Sequence, residues 1–342
     1  MEERGTGMKL TDVKKADLAL LPTPFQRMRN LEKELDCPEL YIKRDDLTDV
    51  GLSGNKVRKL EYLVQQAIDE GCNTLLTYGG PQTNHGRLTV AAAVKMGMKS
   101  VLILSGKRPD YCSGNLILDC LMGADLRFTT GDEAELAKQV IKEYESRGDK
   151  VFEIPLGGST IEGALGYFYM AKEMKEQMDA MGVHPKYVVT ACGSQGTFCG
   201  LWLGAKYFNT GFEVIPVAIN PNPLFKEEQA ADLINRISET YELGITCAPS
   251  DISINIRRGD VCYSGLGYNV PDRETRDAMR LLARTEAIFT DPCYTGKVFH
   301  GFLDMAQHVF PKGSGVVFVH TGGVPGIWTK EHVDAMQDDF WK

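Results

Sequence analysis

The sequence predicts an α/β protein built on parallel sheets, from three observations. Between Thr74 and Ile154 short apolar runs alternate with helical patterns, and the same alternation resumes at Tyr187 and closes at Gly315-Val-Val-Phe-Val-His320. Strands that are apolar on both faces and separated by helices belong to parallel sheets. The 342 residues, 43% of them hydrophobic, are enough for a sizeable core and favour two domains over one.

Composition narrows the function classes. Lys and Arg number 38 against 46 Asp and Glu, a net charge of −8, with no basic block interleaved with aromatics, so nucleic acid is not an expected partner. No apolar run approaches the ~20 residues that span a bilayer. The start, Met1-Glu-Glu-Arg-Gly-Thr-Gly7, lacks an apolar signal core, which makes the cytoplasm the expected compartment. Nine cysteines without a Cys-x-x-Cys pair read as reduced thiols, and six histidines without ligand spacing give no reason to expect a metal.

In chain order, the prolines of Leu20-Leu-Pro-Thr-Pro-Phe25 favour an extended entry segment. Leu40-Tyr-Ile42 is a short apolar run. After a charged segment and glycines at 51 and 54, the apolar residues Val57, Leu60, Leu63, Val64, Ala67 and Ile68 fall at helical spacing. Ser53 and Asn55 are N-cap types, which puts Lys56 in the first turn, where free N–H groups and the helix dipole disfavour an ammonium. Such an amine suits nucleophilic or imine chemistry, and a merely solvated lysine is the plainer alternative. Strands are expected at 74–78, 100–104, 125–128, 151–154, 187–190, 213–219 and 315–320. Helices are expected after Gly86, after Ser113, from Ala134 to Tyr144, from about Phe198, and from Thr275 to Thr285.

Ligands of open α/β sheets sit beyond the carboxyl ends of strands. Gly79-Gly-Pro-Gln-Thr83-Asn84-His85-Gly86 gathers a hydroxyl, an amide and an imidazole there, suited either to a polar ring or carboxylate or, more simply, to a turn with a helix cap. Cys192-Gly193-Ser194-Gln195-Gly196-Thr197 before a helix suits a phosphate. Its Gly-x-x-Gly spacing, with no acidic residue after the next strand, disfavours a dinucleotide. Gly157-Gly158-Ser159 could be only a tight turn with a cap. Thr321-Gly-Gly323 places a hydroxyl at the last strand's end, and Tyr294 lies in a loop bounded by Pro292 and Gly296, a common setting for a packing tyrosine.

Together Lys43-Arg-Asp-Asp, Ser53-Gly-Asn-Lys-Val-Arg-Lys-Leu-Glu-Tyr62, Gln82-Thr-Asn-His85, Gly157-Gly-Ser159 with Gly163-Ala-Leu-Gly166, the loop at Gly193, Asp291-Pro-Cys-Tyr-Thr-Gly-Lys297 and His320-Thr-Gly-Gly323 resemble one family. It is the pyridoxal phosphate enzymes of fold type II, in the branch of D-cysteine desulfhydrase and 1-aminocyclopropane-1-carboxylate deaminase. The resemblance implies a two-domain fold similar to the tryptophan synthase β chain, with twisted, mostly parallel sheets flanked by helices. It implies a large cofactor domain (1–52 and 168–342), a small domain (53–167) and a homodimer. Lys56 would carry pyridoxal 5'-phosphate as an imine, Gly193, Ser194, Gln195, Gly196 and Thr197 would hold its phosphate, Asn84 would face its phenolic oxygen and Thr321 its ring nitrogen. Thr83, Asn84 and His85 would meet the amino-acid substrate, with Thr83 and Tyr294 joining Lys56 among the catalytic residues.

Within the family, deaminases of the cyclopropane amino acid look like Tyr-Glu-Gly-Lys where this chain has Tyr294-Thr295-Gly-Lys297, and they lack a hydroxyl at the position of Thr321. The resemblance is therefore to the desulfhydrase side. It implies α,β-elimination from a small amino acid, D-cysteine foremost, with L-cysteate, 2,3-diaminopropionate and the cyclopropane amino acid as related substrates, or a binder on the same scaffold that has lost turnover. Thr83 stands where the family usually shows Ser, and its added methyl is expected to narrow the substrate pocket by ~1–3 kcal/mol of discrimination.

Overall fold

The computed structural model describes residues 9–340 apart from 36, 38, 225 and 271. Strand β1 (Phe25–Arg27), helix α1 (Arg29–Leu35) and β2 (Leu40–Arg44) precede α2 (Lys56–Asp69). There follow β3 (Thr74–Gly79), α3 (Asn84–Lys95), β4 (Lys99–Ser105), α4 (Asn115–Leu121), β5 (Asp125–Thr129), α5 (Glu133–Glu145) and β6 (Val151–Ile154). Then come α6 (Ile161–Met181), β7 (Tyr187–Cys192), α7 (Gly196–Tyr207), β8 (Glu213–Ala218) and α8 (Glu227–Thr240). A small ladder of β9 (Arg257–Arg258) and β10 (Val261–Cys262), α9 (Arg273–Glu286), α10 (Thr295–His308), β11 (Val316–His320) and α11 (Lys330–Phe340) complete the chain.

The apolar runs expected as strands form two sheets. One has the order β5-β4-β3-β6 and is parallel throughout; the other has the order β1-β2-β11-β7-β8 and is parallel except for β1. The segment at Leu20–Phe25, expected only to be extended, leads into β1, where Phe25 pairs with Lys43. Five helices were not foreseen: α1, α6, α8, α10 and α11. In α6 the reason is physical. Leu165, Tyr167, Phe168, Met170, Ala171 and Met174 are all fully buried, so in its first half no polar face leaves a helical period in the sequence. This helix packs on α7 and α2, and residues 167 and 168 lie within it.

Lys43-Arg-Asp-Asp46 proves to be scaffold. Arg58 donates to both oxygens of Asp45 at 2.8 and 2.9 Å and to both oxygens of Glu173 at 2.9 Å, while Tyr167 donates to Asp45 at 2.6 Å. Lys43 binds Glu173, Gln177 and the Thr23 carbonyl. Burial alone would push Asp45 up, but the charge of Arg58 and its hydrogen bonds hold the carboxyl below its ordinary value. The network ties β2, α2 and α6 together directly beneath the turn that delivers Lys56. No helix among the described residues is long and apolar enough to cross a membrane.

Candidate active site

Lys56 is the first residue of α2. The preceding turn runs through the left-handed region at four successive residues, Gly51, Leu52, Ser53 and Gly54, with φ of 58°, 61°, 60° and 137°. It is held against the end of β11 by Asn55 N donating to Thr321 O at 3.0 Å. Neither expected cap residue caps α2 with its side chain: Ser53 Oγ accepts from Asp49 N at 2.8 Å, and Asn55 Nδ2 donates to Thr197 Oγ1 at 3.0 Å. The turn is thereby joined to the glycine loop of α7.

Lys56 Nζ donates to Gly157 O at 3.2 Å, and Lys59, one helical turn on, donates to the same carbonyl at 3.1 Å and to Ser159 Oγ at 3.2 Å. Two lysine side chains thus converge on one carbonyl, and neither has a carboxylate partner among the described residues. Burial lowers Lys56 from 10.5 to about 8. Burial, and then the charge of Lys56, drives Lys59 well below 10.5. At neutral pH roughly one Lys56 in ten is a free amine, against fewer than about one in a thousand for an ordinary lysine.

Around Lys59 the glycine loop makes a cradle. Ser159 Oγ donates to Ser194 Oγ at 2.9 Å and accepts from Gly196 N, the first N–H of α7, at 3.3 Å. A Cβ on Gly196 would stand 2.8 Å from Lys59 Nζ, and one on Gly157 would stand 2.2 Å from Ser194 Oγ, so both glycines are required by close approach. Gln195 is left-handed, with φ 66°, and its side chain is committed to Lys226 O at 2.8 Å. Hydroxyls of Ser159, Ser194 and Thr197, a helix N-terminus and an uncompensated lysine form a donor set suited to a phosphate dianion. Gly157-Gly158-Ser159, which the sequence leaves open between a strand-end ligand loop and a tight turn, supplies one of the three hydroxyls.

Thr83, Asn84 and His85 open α3. Thr83 Oγ1 accepts from Gly86 N at 3.1 Å and so caps the helix, keeping its own proton free to donate. Its methyl does not enter a pocket as the sequence suggests. It lies over Gly86, where an added Cβ would meet it at 2.4 Å, and against Gly79, where the distance would be 2.9 Å. Two glycines absorb the extra methyl. Asn84 Oδ1 accepts from Asn115 Nδ2 at 2.8 Å. His85 is 3% exposed, its ring sits against Gly158, and neither nitrogen makes a well-formed hydrogen bond, the Pro155 main chain giving only a weak one. Burial, with the two lysine charges, lowers its pKa well below 6.5, so the ring is neutral at pH 7.

On the opposite side Asp291 accepts from the N–H groups of Cys293, Tyr294 and Thr295 at 2.8–2.9 Å and fixes the turn into α10. Thr295 Oγ1 donates to Asp291 Oδ1 at 2.6 Å and accepts from Asp291 N at 2.8 Å, so its hydroxyl is consumed internally. Thr321 Oγ1 makes no hydrogen bond to the described residues. The Tyr294 ring lies beside Gly193, 3.6 Å from where a Cβ there would be. Its hydroxyl meets Tyr268 OH at 2.7 Å, with the rings edge to face, and burial raises its pKa well above 10. Lys297 donates to Gly267 O at 2.6 Å and thereby anchors the loop that carries Tyr268.

The family model described as pyridoxal-phosphate dependent enzyme matches residues 16–322. The chain belongs to that family. A 1-aminocyclopropane-1-carboxylate deaminase of Rhizobium leguminosarum bv. viciae is 35% identical over 319 residues, 90% of this chain and 93% of that relative. A crystal structure of an ACC deaminase homologue superposes with a TM-score of 0.85 at 32% identity, covering 96% of this chain and 97% of the other. A hydrogen sulfide-producing enzyme from Fusobacterium nucleatum shares the fold, with a TM-score of 0.63 at 17% identity over 90% of this chain and 97% of the other. The fold is therefore type II and the cofactor is pyridoxal phosphate. The buried ring nitrogens of His85, the free hydroxyl of Thr321 and a glycine-walled cradle around Lys59 fit such a group.

Sequence reasoning gave no role to Lys59, Ser159, Tyr268 or Asn115, although the first two lie in motifs it singled out. Lys59 was findable, since it stands three residues after Lys56 on the same helical face and amid apolar neighbours. Tyr268 left no signal, because it reaches Tyr294 only through tertiary folding.

Proposed function

We propose that this pyridoxal-phosphate dependent enzyme carries out α,β-elimination on a small amino acid with a leaving group on Cβ, with D-cysteine as the best substrate. Water and D-cysteine would yield pyruvate, hydrogen sulfide and ammonia. The observation that carries the choice is the pair of threonines. Thr295 is spent on Asp291, whereas Thr321 keeps an unpaired hydroxyl, so the ring nitrogen meets a neutral partner and no carboxylate.

In this reading Lys59, Ser159, Ser194, Thr197 and the N-terminus of α7 hold the phosphate, and Asn84 takes the phenolic oxygen. Pyridoxal phosphate, when bound, supplies an electron sink for the pair left at the substrate Cα. Lys56, with a pKa of about 8, is a base suited to remove the Cα proton near neutral pH. The Thr83 hydroxyl and the free N–H groups at the start of α3 receive the substrate carboxylate. Neutral His85 adds a hydrogen-bonding group without repelling Lys56. The Tyr268–Tyr294 pair stays protonated and donates toward the departing group.

The names of the relatives favour a second reading, deamination of 1-aminocyclopropane-1-carboxylate. A panel of D-cysteine, L-cysteine, L-cysteate, 2,3-diaminopropionate and the cyclopropane amino acid, read by keto-acid and sulfide release, separates the two. Pyruvate with sulfide from D-cysteine supports elimination. 2-Oxobutyrate from the cyclopropane amino acid, with no sulfide from D-cysteine, overturns it in favour of the deaminase.

A further inference from the structure

Asn115 opens α4, is 1% exposed and lies outside the residues that face the site. Its side chain nevertheless determines what one of them presents. A backbone carbonyl can only accept a hydrogen bond, so the Asn115 atom 2.8 Å from Gln82 O must be the amide nitrogen. That same nitrogen lies 2.8 Å from the Asn84 side chain, which must therefore offer its oxygen. The Asn84 nitrogen is turned the other way, toward Gly323, where an added Cβ would meet it at 3.1 Å, and it has no partner among the described residues.

A second carbonyl orients the Gln82 side chain, which braces Asn115 through its main-chain N–H. Gln82 Nε2 donates to Ser113 O at 2.9 Å, which leaves Gln82 Oε1 to accept from Asn115 N, also at 2.9 Å. Gly114, with φ 57°, permits this packing, since a Cβ there would lie 2.4 Å from Gln82 Oε1. One main-chain carbonyl, Gln82 O, thus dictates the orientation of two side-chain amides in series, Asn115 and then Asn84, and the second of them faces the site.

We propose that Asn115 is a positioning residue that sets the polarity of Asn84, so that the site offers the phenolic oxygen of the cofactor an N–H donor and not a second acceptor. The inference rests on the reading that Asn84 faces that oxygen. Without the relay the Asn84 amide can turn over, which places two oxygens against each other.

The test titrates the apo protein with pyridoxal phosphate and with its 3-deoxy analogue, which lacks only the phenolic oxygen, following cofactor absorption and protein fluorescence. The quantity read is the ratio of the two affinities. It is internal to each variant, so a general loss of stability cancels. Asn84→Ala should lower the wild-type ratio about tenfold, the worth of one hydrogen bond to a charged acceptor. Asn115→Asp, which cannot donate, and Asn115→Ala should lower it as much, with affinity for the 3-deoxy analogue little changed. If Asn84→Ala lowers the ratio and both Asn115 variants keep the wild-type value, the relay is wrong while the reading of Asn84 stands. If Asn84→Ala itself leaves the ratio unchanged, that reading fails and the proposal with it.

Discussion

Lys43 and Lys59 are both 0% exposed, yet they live in opposite circumstances. Lys43 belongs to a network in which Asp45, Arg58, Glu173 and Tyr167 satisfy one another with short, reciprocal bonds. Lys59 has a carbonyl and a hydroxyl at 3.1 and 3.2 Å and a second lysine for company. Burying a charge is costly unless it is paired. The first region meets that requirement within the protein, and the second leaves it to a ligand. Saturation marks scaffold at Lys43, and Lys59, His85 and Thr321 lack it where the cofactor cradle forms; Asp119, whose two buried carboxylate oxygens also have no hydrogen bond, shows that the lack alone does not define such a site.

The comparison can be broken most forcefully at Asp45. Asp45→Asn removes the anion from the saturated network and should cost about 3–5 kcal/mol in urea unfolding, while the affinity of the folded protein for pyridoxal phosphate stays unchanged. The folded Asp45 carboxyl lies below its ordinary 3.8, so its contribution is present above that value and lost only as pH falls through the depressed pKa. The variant should lack that acid limb. A loss of cofactor affinity in the folded variant would mean that the two regions are not separable.

A smaller effect sharpens the account of the substrate loop. Gly86→Ala places a methyl 2.4 Å from that of Thr83 and should raise KM for the amino acid by the equivalent of about 1–3 kcal/mol, even though alanine is the better helix former. Thr83→Ser alone should change little, and Thr83→Ser with Gly86→Ala should restore KM. Failure of that rescue would return the Thr83 methyl to the substrate pocket. The smallest effect is on pH dependence. The rate at which apo protein captures pyridoxal phosphate should rise with pH and level off around pH 8, because the Lys56 amine is deprotonated above about 8 instead of 10.5. A rate still climbing past pH 10 would show an ordinary lysine.

The same contrast explains what could be read from the sequence. Strands buried on both faces leave continuous apolar runs, and glycine loops at their ends leave punctuation, so the two sheets, Lys56 and the loop at Gly193 were legible. Helix α6 was not, because burial all round its first half erases the helical period there. Lys43-Arg-Asp-Asp46 carried the family resemblance without a role, because sequence shows charge but not whether the charge has found a partner. The Thr83 methyl was misread for a related reason: its fate depends on Gly79, across the loop, and on the rotamer that Gly86 allows. Tyr268 and Asn115 act through contacts spanning 26 and 31 residues, beyond any local pattern.

The most direct test of the distinction is Lys59→Met, studied with and without ligand. Removing a buried lysine that has no carboxylate partner should leave the apo protein as stable as the wild type or more so, while affinity for pyridoxal phosphate falls about 10- to 100-fold and affinity for pyridoxal, which has no phosphate, is unaltered. An apo protein destabilised as by Asp45→Asn, with undiminished affinity for pyridoxal phosphate, would contradict it and make Lys59 one more member of the scaffold.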